Sequence, residues 1–130
     1  MNREPGQVLC VDDDPDILEV AQLSLEAVGG FRVASAASGA EALTVAKRVQ
    51  PDIILLDVMM PDMDGPTTLQ ALRAQPATAR IPVVFMTARV QSSEVIEYLE
   101  QGAAGVIAKP FDPMTLSAQL TEFWRAADDG

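Results

Sequence analysis

Two kinds of segment alternate five times along the chain, and this alternation restricts the possible folds more than any other feature. Short apolar segments rich in valine and isoleucine have the length of strands, and a stretch with helical periodicity follows each one. Strict alternation of this kind is typical of a parallel sheet with helices on both faces. The strand-like segments are residues 8–11, 31–35, 53–56, 83–86 and 106–108.

Residues that favour helix ends bound the helical segments. Ser38 and Glu41 form a capping box, and Asp112 stands before Pro113 as an N-cap before a first-turn proline. Either of two consecutive serines at positions 92 and 93 can cap the fourth helix. The predicted helices span about 15–28, 38–49, 65–76, 92–101 and 112–126.

These elements predict an α/β fold, a doubly wound parallel sheet of the flavodoxin-like (βα)5 type. Right-handed crossovers and the short chain favour strand order 2-1-3-4-5. The 130 residues fit one domain over 1–130, with its core at about 7–126. No apolar run approaches the ~20 residues of a membrane-spanning helix. The polar N-terminus carries no apolar signal core, so we expect a cytoplasmic protein with no membrane contact.

Charged or hydroxyl residues directly follow four of the five predicted strands. Asp12 and Asp13 follow the first strand, Asp57 the third, Thr87 the fourth and Lys109 the fifth. In open parallel sheets, functional groups gather at the carboxyl ends of the strands, near the point where strand order reverses. The sequence therefore predicts that these five side chains converge at one edge of the sheet.

The predicted cluster suits a divalent cation and phosphoryl transfer. At ~4 Å and an effective dielectric of about 20, each pair of carboxylates repels by roughly 4 kcal/mol, and Lys109 alone cannot neutralise three acids. An all-oxygen site with few protein ligands suits Mg²⁺ or Mn²⁺, which Asp12 and Asp13 would hold. Asp57 is the candidate nucleophile for an aspartyl phosphate, with Thr87 and Lys109 contacting phosphoryl oxygens.

Four short motifs, each following its own strand, resemble those of response-regulator receivers in two-component signalling, including single-domain chemotaxis-type regulators. The resemblance covers about residues 7–124. The motifs are VLCVDDD at 8–14, LLDVMMPDMDG at 55–65, MTA at 86–88 and AKPF at 108–111.

The resemblance implies that Asp57 accepts phosphate from the phosphohistidine of a sensor histidine kinase or a histidine phosphotransfer protein. It also implies Mg²⁺ held by Asp13, Asp57 and the main-chain carbonyl of Met59, with Asp12 acting largely through water. The protein would be a signalling switch for an unknown downstream protein. It would catalyse only its own phosphorylation and dephosphorylation.

On the output side, the resemblance implies a signal that travels from Thr87 to the surface of the fourth helix, the fifth strand and the fifth helix. A cis bond before Pro110 would aim Lys109 into the site. Many family members carry Tyr or Phe where this chain has Val106, which is stiff at χ1. An aromatic rotamer switch cannot operate at that position, so we expect the readout to use loop and fourth-helix shifts.

The charge balance and the lack of histidine bear on the partners. The 9 basic residues against 19 acidic ones give a net charge of −10, and histidine is absent. Such a chain repels nucleic-acid phosphates, so no nucleic-acid partner is expected. Any phosphohistidine must belong to a partner. The protein is expected to be a monomer or a weak homodimer through the fourth and fifth helices.

Other functions fit the residues less well. An EF-hand would need Gly and Glu where this chain has Ile17 and Leu23. A phosphatase of the haloacid dehalogenase type wants a second Asp where Met59 stands. A flavodoxin needs a hydroxyl- and glycine-rich phosphate loop after the first strand. A stand-alone receiver is the leading interpretation, since the residues after about 126 leave no room for an output domain. A receiver excised from a longer kinase or regulator stays open.

Several residues near the motifs have structural explanations. Asp62 and Asp64 are expected to be turn and cap residues rather than metal ligands. The aromatic residues Tyr98, Phe123 and Trp124 fit two interpretations equally well: half-buried helix positions, or part of a face for partner docking.

Overall fold

The computed structural model describes residues 6–129, in which five parallel strands alternate with five helices. The strand order is β2-β1-β3-β4-β5, which confirms the predicted flavodoxin-like fold. The strands are β1 (Gln7–Val11), β2 (Arg32–Ala36), β3 (Ile53–Asp57), β4 (Val83–Thr87) and β5 (Gly105–Ala108). The helices are α1 (Pro15–Ala27), α2 (Gly39–Val49), α3 (Gly65–Ala74), α4 (Ser92–Glu100) and α5 (Leu116–Asp129). Most of the polar N-terminal stretch, residues 1–5, lies outside the described part.

Alternate residues of the central strands enter two separate cores, one on each face of the sheet. Leu56 and Phe85 lie in the core that α2 and α3 cover, whereas Leu55 and Met86 lie in the core that α1 and α5 cover. Every residue of β3 and β4 is buried, and burying each large apolar side chain stabilises the fold by about 1.5–3 kcal/mol. The strands that end at the predicted site are therefore firmly packed on both sides.

The three aromatic residues of the last two helices differ in burial. Trp124 is only 4% exposed and belongs to the core beneath α1 and α5, so it is a core residue. Phe123 is half-buried against that same core, whereas Tyr98 is half-buried against the core on the opposite face.

Two helix starts follow the predicted chemistry, and a third has a cap that was not predicted. Ser38 caps α2 by accepting a hydrogen bond from the Glu41 N–H, whereas the unpredicted cap is Asp14 at the start of α1. Asp64 caps α3, and Asp62 adopts a positive φ of 68° in the turn before it, so both are turn and cap residues as predicted.

One predicted cap was wrong, and two predicted starts were displaced. The N-cap residue of α4 is Gln91, which makes no side-chain capping bond, so neither serine caps this helix, although the helix begins at Ser92 as predicted. Helix α5 begins at Leu116, because the Asp112 carboxylate accepts the Met114 N–H and holds residues 113–115 in a turn. Strand β2 begins one residue late, because the Phe31 N–H is bonded to the end of α1. None of the described helices is long and apolar enough to cross a bilayer.

Candidate functional site

The carboxyl ends of four strands meet at one edge of the sheet and carry the predicted polar residues there. Asp12, Asp57 and Thr87 are almost fully buried, at 1%, 2% and 2% exposure. Asp13 is exposed at the mouth of the cluster. The positions of Asp12, Asp57 and Thr87 are set by buried strands. Asp12 directly follows β1, and Asp57 and Thr87 are the last residues of β3 and β4.

Lys109 bridges the two buried carboxylates. Its Nζ lies 2.9 Å from Asp12 Oδ2 and 3.3 Å from Asp57 Oδ1. Burial works against the charged ammonium, yet the pKa of Lys109 is raised, because the hydrogen bonds and charges of Asp12 and Asp57 outweigh it. The peptide bond between Lys109 and Pro110 is cis. The sequence placed Lys109 as a positive charge beside the three acids, but it did not specify an ion pair with Asp12.

The charged form of the Asp57 carboxylate is destabilised by its surroundings. Burial is the first cause and the Asp12 charge the second, and together they raise the pKa of Asp57 from 3.8 to about 6. Lys109 and a hydrogen bond from the main chain of Met59 offset part of this shift. A carboxylate so placed is stabilised by any further positive charge that enters the site.

The side chains of Asp12, Asp13 and Asp57 could together hold a metal ion. One oxygen from each lies within 4.8 Å of the others, and Lys109 supplies a single positive charge against three acids. All the donor atoms are oxygens, which matches the preference of Mg²⁺ and Mn²⁺. The residues present therefore fit a divalent cation, as the sequence predicted.

Thr87 ends β4 with its hydroxyl engaged by the following loop. Its Oγ1 accepts a hydrogen bond from the Arg89 N–H at 3.0 Å. This contact has no side-chain signature, because the donor is a main-chain N–H that any residue except proline would provide at that position. The contact ties the hydroxyl to the loop that leads into α4.

The remaining predicted residues flank the cluster. Met59 follows β3 and its side chain is 68% exposed. The role of its carbonyl as a metal ligand stays a prediction. Val106 is half-buried on β5, where it stands opposite Phe85 of β4 in the strand register.

The sequence matches the family model described as the response regulator receiver domain over residues 8–121. This match includes all four strand ends of the cluster. The chain belongs to the response regulator receiver family. Receivers accept phosphate in two-component signalling, and they are signalling switches rather than an ordinary enzyme family.

Known relatives of this receiver include both regulators and kinases. RpaA of Synechocystis sp., named a DNA-binding dual master transcriptional regulator, is 37% identical over 122 residues, or 94% of this chain and 50% of RpaA. The chemotaxis protein CheY4 of Vibrio cholerae has a TM-score of 0.84 and 34% identity, covering 91% of this chain and 98% of CheY4. A receiver domain of a histidine kinase from Syntrophus aciditrophicus has a TM-score of 0.80 and 31% identity, covering 93% of this chain and 91% of the chain from that kinase.

The expected exclusion of nucleic acid is not supported by these relatives. The receiver spans about half the length of the curated relatives it matches, and RpaA is named as DNA-binding. The negative charge of the receiver disfavours nucleic-acid contacts at the receiver's own surface. A DNA-binding segment in another part of a longer regulator would be unaffected by that charge.

Gly65 provides the close approach that seats the segment after Asp57 against α3. A Cβ at this position would lie 2.8 Å from the Asp57 carbonyl oxygen and 2.8 Å from Val58 Cα. Gly65→Ala is expected to destabilise the fold by about 1–3 kcal/mol, because the main chain must move. It should also slow phosphorylation, since Asp57 would shift with its carbonyl.

The check is urea unfolding of Gly65→Ala beside Gly6→Ala, where a new Cβ meets only an ordinary contact at 3.5 Å. Equal stability of the two variants would contradict the role of this close approach.

Proposed function

We propose that Asp57 takes a phosphoryl group from a partner's phosphohistidine in a Mg²⁺-dependent reaction and that the resulting shift controls protein–protein contacts. The observation that carries this proposal is the arrangement around Asp57. Its carboxylate is 2% exposed, lies 3.3 Å from the Lys109 ammonium, and has a raised pKa. A carboxylate can act as the covalent nucleophile of such a reaction and form an aspartyl phosphate.

The reaction needs one bond to form and one to break. An Asp57 carboxylate oxygen forms a bond to phosphorus, and the bond between phosphorus and the partner's imidazole nitrogen breaks, so the electron pair stays on that nitrogen. Lys109, which contacts Asp57, would exchange that contact for one with a phosphoryl oxygen. Thr87 would turn its hydroxyl to donate to another phosphoryl oxygen.

The metal in this proposal is Mg²⁺, with Mn²⁺ as a substitute. The carboxylates of Asp12, Asp13 and Asp57 and the main-chain carbonyl of Met59 would hold it. When bound, the cation neutralises negative charge that develops on the phosphoryl oxygens. Asp12 would act largely through water, as the resemblance to the family implies.

The cellular setting follows from the family. Relatives of this kind work with histidine kinases, and we propose such a kinase or a histidine phosphotransfer protein as the phosphodonor. Response regulators are typically cytoplasmic, and a cytoplasmic location is part of the proposal. We treat residues 1–130 as one receiver domain that catalyses only its own phosphorylation and dephosphorylation.

A second candidate is a receiver that belongs to a longer DNA-binding regulator. The observation that favours it is the length of RpaA, of which this chain covers 50%. The two candidates share the chemistry at Asp57 and differ only in what the phosphorylated surface contacts. The sequence of the complete gene distinguishes them.

The test of the phosphoacceptor is intact-protein mass spectrometry after incubation with acetyl phosphate and Mg²⁺. A single phosphoryl adduct is expected on the wild type, because Asp57 is the one nucleophile in this proposal and the carboxylates of Asp12 and Asp13 would be engaged with the cation. Asp57→Asn and a sample with EDTA should carry no adduct. An adduct on Asp57→Asn equal to that on the wild type would overturn the assignment.

A further inference from the structure

Helix α4 is anchored to the rest of the receiver less firmly than α1, α2 and α3. It contains no buried residue, and its first turn has no side-chain capping bond. Ile96 and Leu99 are exposed at 54% and 46%, so they do not hold the helix to the sheet. Among its apolar residues, only Val95 and Tyr98 are half-buried. The position of α4 therefore depends on very few side chains.

Tyr98 provides the aromatic contact between α4 and the sheet. Its ring meets the ring of Phe85 edge to face, with centroids 5.1 Å apart and an angle of 77° between the planes. This geometry places the positive edge of one ring on the negative face of the other, which is an attractive and directional arrangement. The Tyr98 carbonyl also accepts the Ala103 N–H, which joins the end of α4 to the turn before β5.

Phe85 connects this contact to the functional site. Phe85 is fully buried on β4, two residues before Thr87, so the two side chains point to the same face of the sheet. Val106 stands opposite Phe85 in the register and packs against the same core as Tyr98. An aromatic side chain therefore does lie beside Phe85 in this receiver, but it comes from α4 and not from β5.

The loop between β4 and α4 gives the second connection. The Thr87 hydroxyl accepts the Arg89 N–H, so a hydroxyl that turned toward Asp57 would lengthen this bond. The loop beyond Arg89 leads to the start of α4, which has no side-chain capping bond. Further along the helix, α4 meets β4 through the edge-to-face contact of Tyr98 with Phe85.

We propose that Tyr98, acting through its edge-to-face contact with Phe85, is the positioning residue that couples Thr87 to α4 in this receiver. The inference rests on phosphorylation at Asp57 as proposed above. Tyr98 would thereby supply the aromatic coupling between Thr87 and α4 that Val106 cannot supply, since valine has no aromatic ring. The ring, and not the phenolic hydroxyl, carries the coupling.

The test compares variants by main-chain amide NMR of residues 92–100 before and after acetyl phosphate and Mg²⁺, with phosphoryl occupancy measured by intact mass. Tyr98→Leu and Tyr98→Met remove the ring and keep an apolar side chain. At equal occupancy, both should reduce the phosphorylation-dependent shifts of α4 by at least roughly threefold. Tyr98→Phe should restore the full response, and Leu99→Ala, an exposed change on the same helix, should leave it unchanged.

Full α4 shifts in phosphorylated Tyr98→Leu and Tyr98→Met would overturn the inference while leaving the phosphoacceptor assignment intact. Loss of the response in Tyr98→Phe would overturn the role of the ring. Absence of the adduct from the wild type would overturn the proposed function, and the inference with it, and the mass measurement identifies that case.

Discussion

The Asp57→Asn protein is expected to be more stable than the wild type by about 2 kcal/mol at about pH 7.5 without divalent cations. Burial first, and the Asp12 charge second, raise the pKa of Asp57 from 3.8 to about 6. At a pH between these two pKa values, Asp57 has lost its proton in the unfolded chain but keeps it in the folded protein. The stability of the wild type therefore falls as pH rises through this window, and the full penalty is present above it. Asparagine cannot ionise and escapes the penalty.

Urea unfolding followed by fluorescence of Trp124, the single tryptophan and a buried one, measures this difference. Asp62→Asn is the matched control, because it removes the same charge from an exposed turn, and it should change stability by less than about 0.5 kcal/mol. The advantage of Asp57→Asn should shrink near pH 4 and also on adding Mg²⁺, which stabilises the wild type more. An Asp57→Asn protein less stable than the wild type at the higher pH would contradict the burial penalty.

Most of the fold could be predicted because its cause is local and repetitive. The residues of β3 and β4 before Asp57 and Thr87 are apolar without interruption, since both faces of a parallel sheet are covered. In a parallel sheet, the residues at the carboxyl ends of the strands lie at the same edge. This rule is sufficient to predict that Asp57, Thr87 and Lys109 lie close together.

The unpredicted features are those that depend on main-chain groups or on distant pairs. The predicted cap of α4 was wrong because serine can cap a helix only when its backbone takes the right conformation, and here Gln91 occupies the N-cap position. The bond from the Arg89 N–H to Thr87 has no side-chain signature. The contact between Tyr98 and Phe85 joins two elements whose relative position no periodicity specifies.

Burial also settled an ambiguity that sequence left open. Trp124 has the spacing of a half-buried helix residue, and a docking face would use the same spacing. Its 4% exposure places it in the core with Leu120. Tyr98 remains accessible in part, so the two aromatic residues have different parts in the receiver.

Replacing Asp13 by Asn is expected to weaken Mg²⁺ binding by at least roughly tenfold, because it removes a full negative charge from a divalent cation a few ångströms away. Asp13 is the exposed member of the three-carboxylate cluster, with a ligand oxygen within 4.8 Å of those of Asp12 and Asp57. Its loss should leave the fold unharmed, since no described hydrogen bond or ion pair depends on its side chain. Isothermal titration with Mg²⁺ measures the change directly.

Asp62→Asn again supplies the control, because it changes the net charge of the protein by the same amount in the next loop along the sheet edge. If the site attracted Mg²⁺ only through the overall charge of −10, both variants would lose affinity equally. If Asp13 is a ligand, Asp62→Asn should change affinity by less than about twofold, because an exposed charge beyond the first contacts is screened by salt. Equal losses would therefore refute Asp13 as a metal ligand, whereas a loss confined to Asp13→Asn follows from direct coordination.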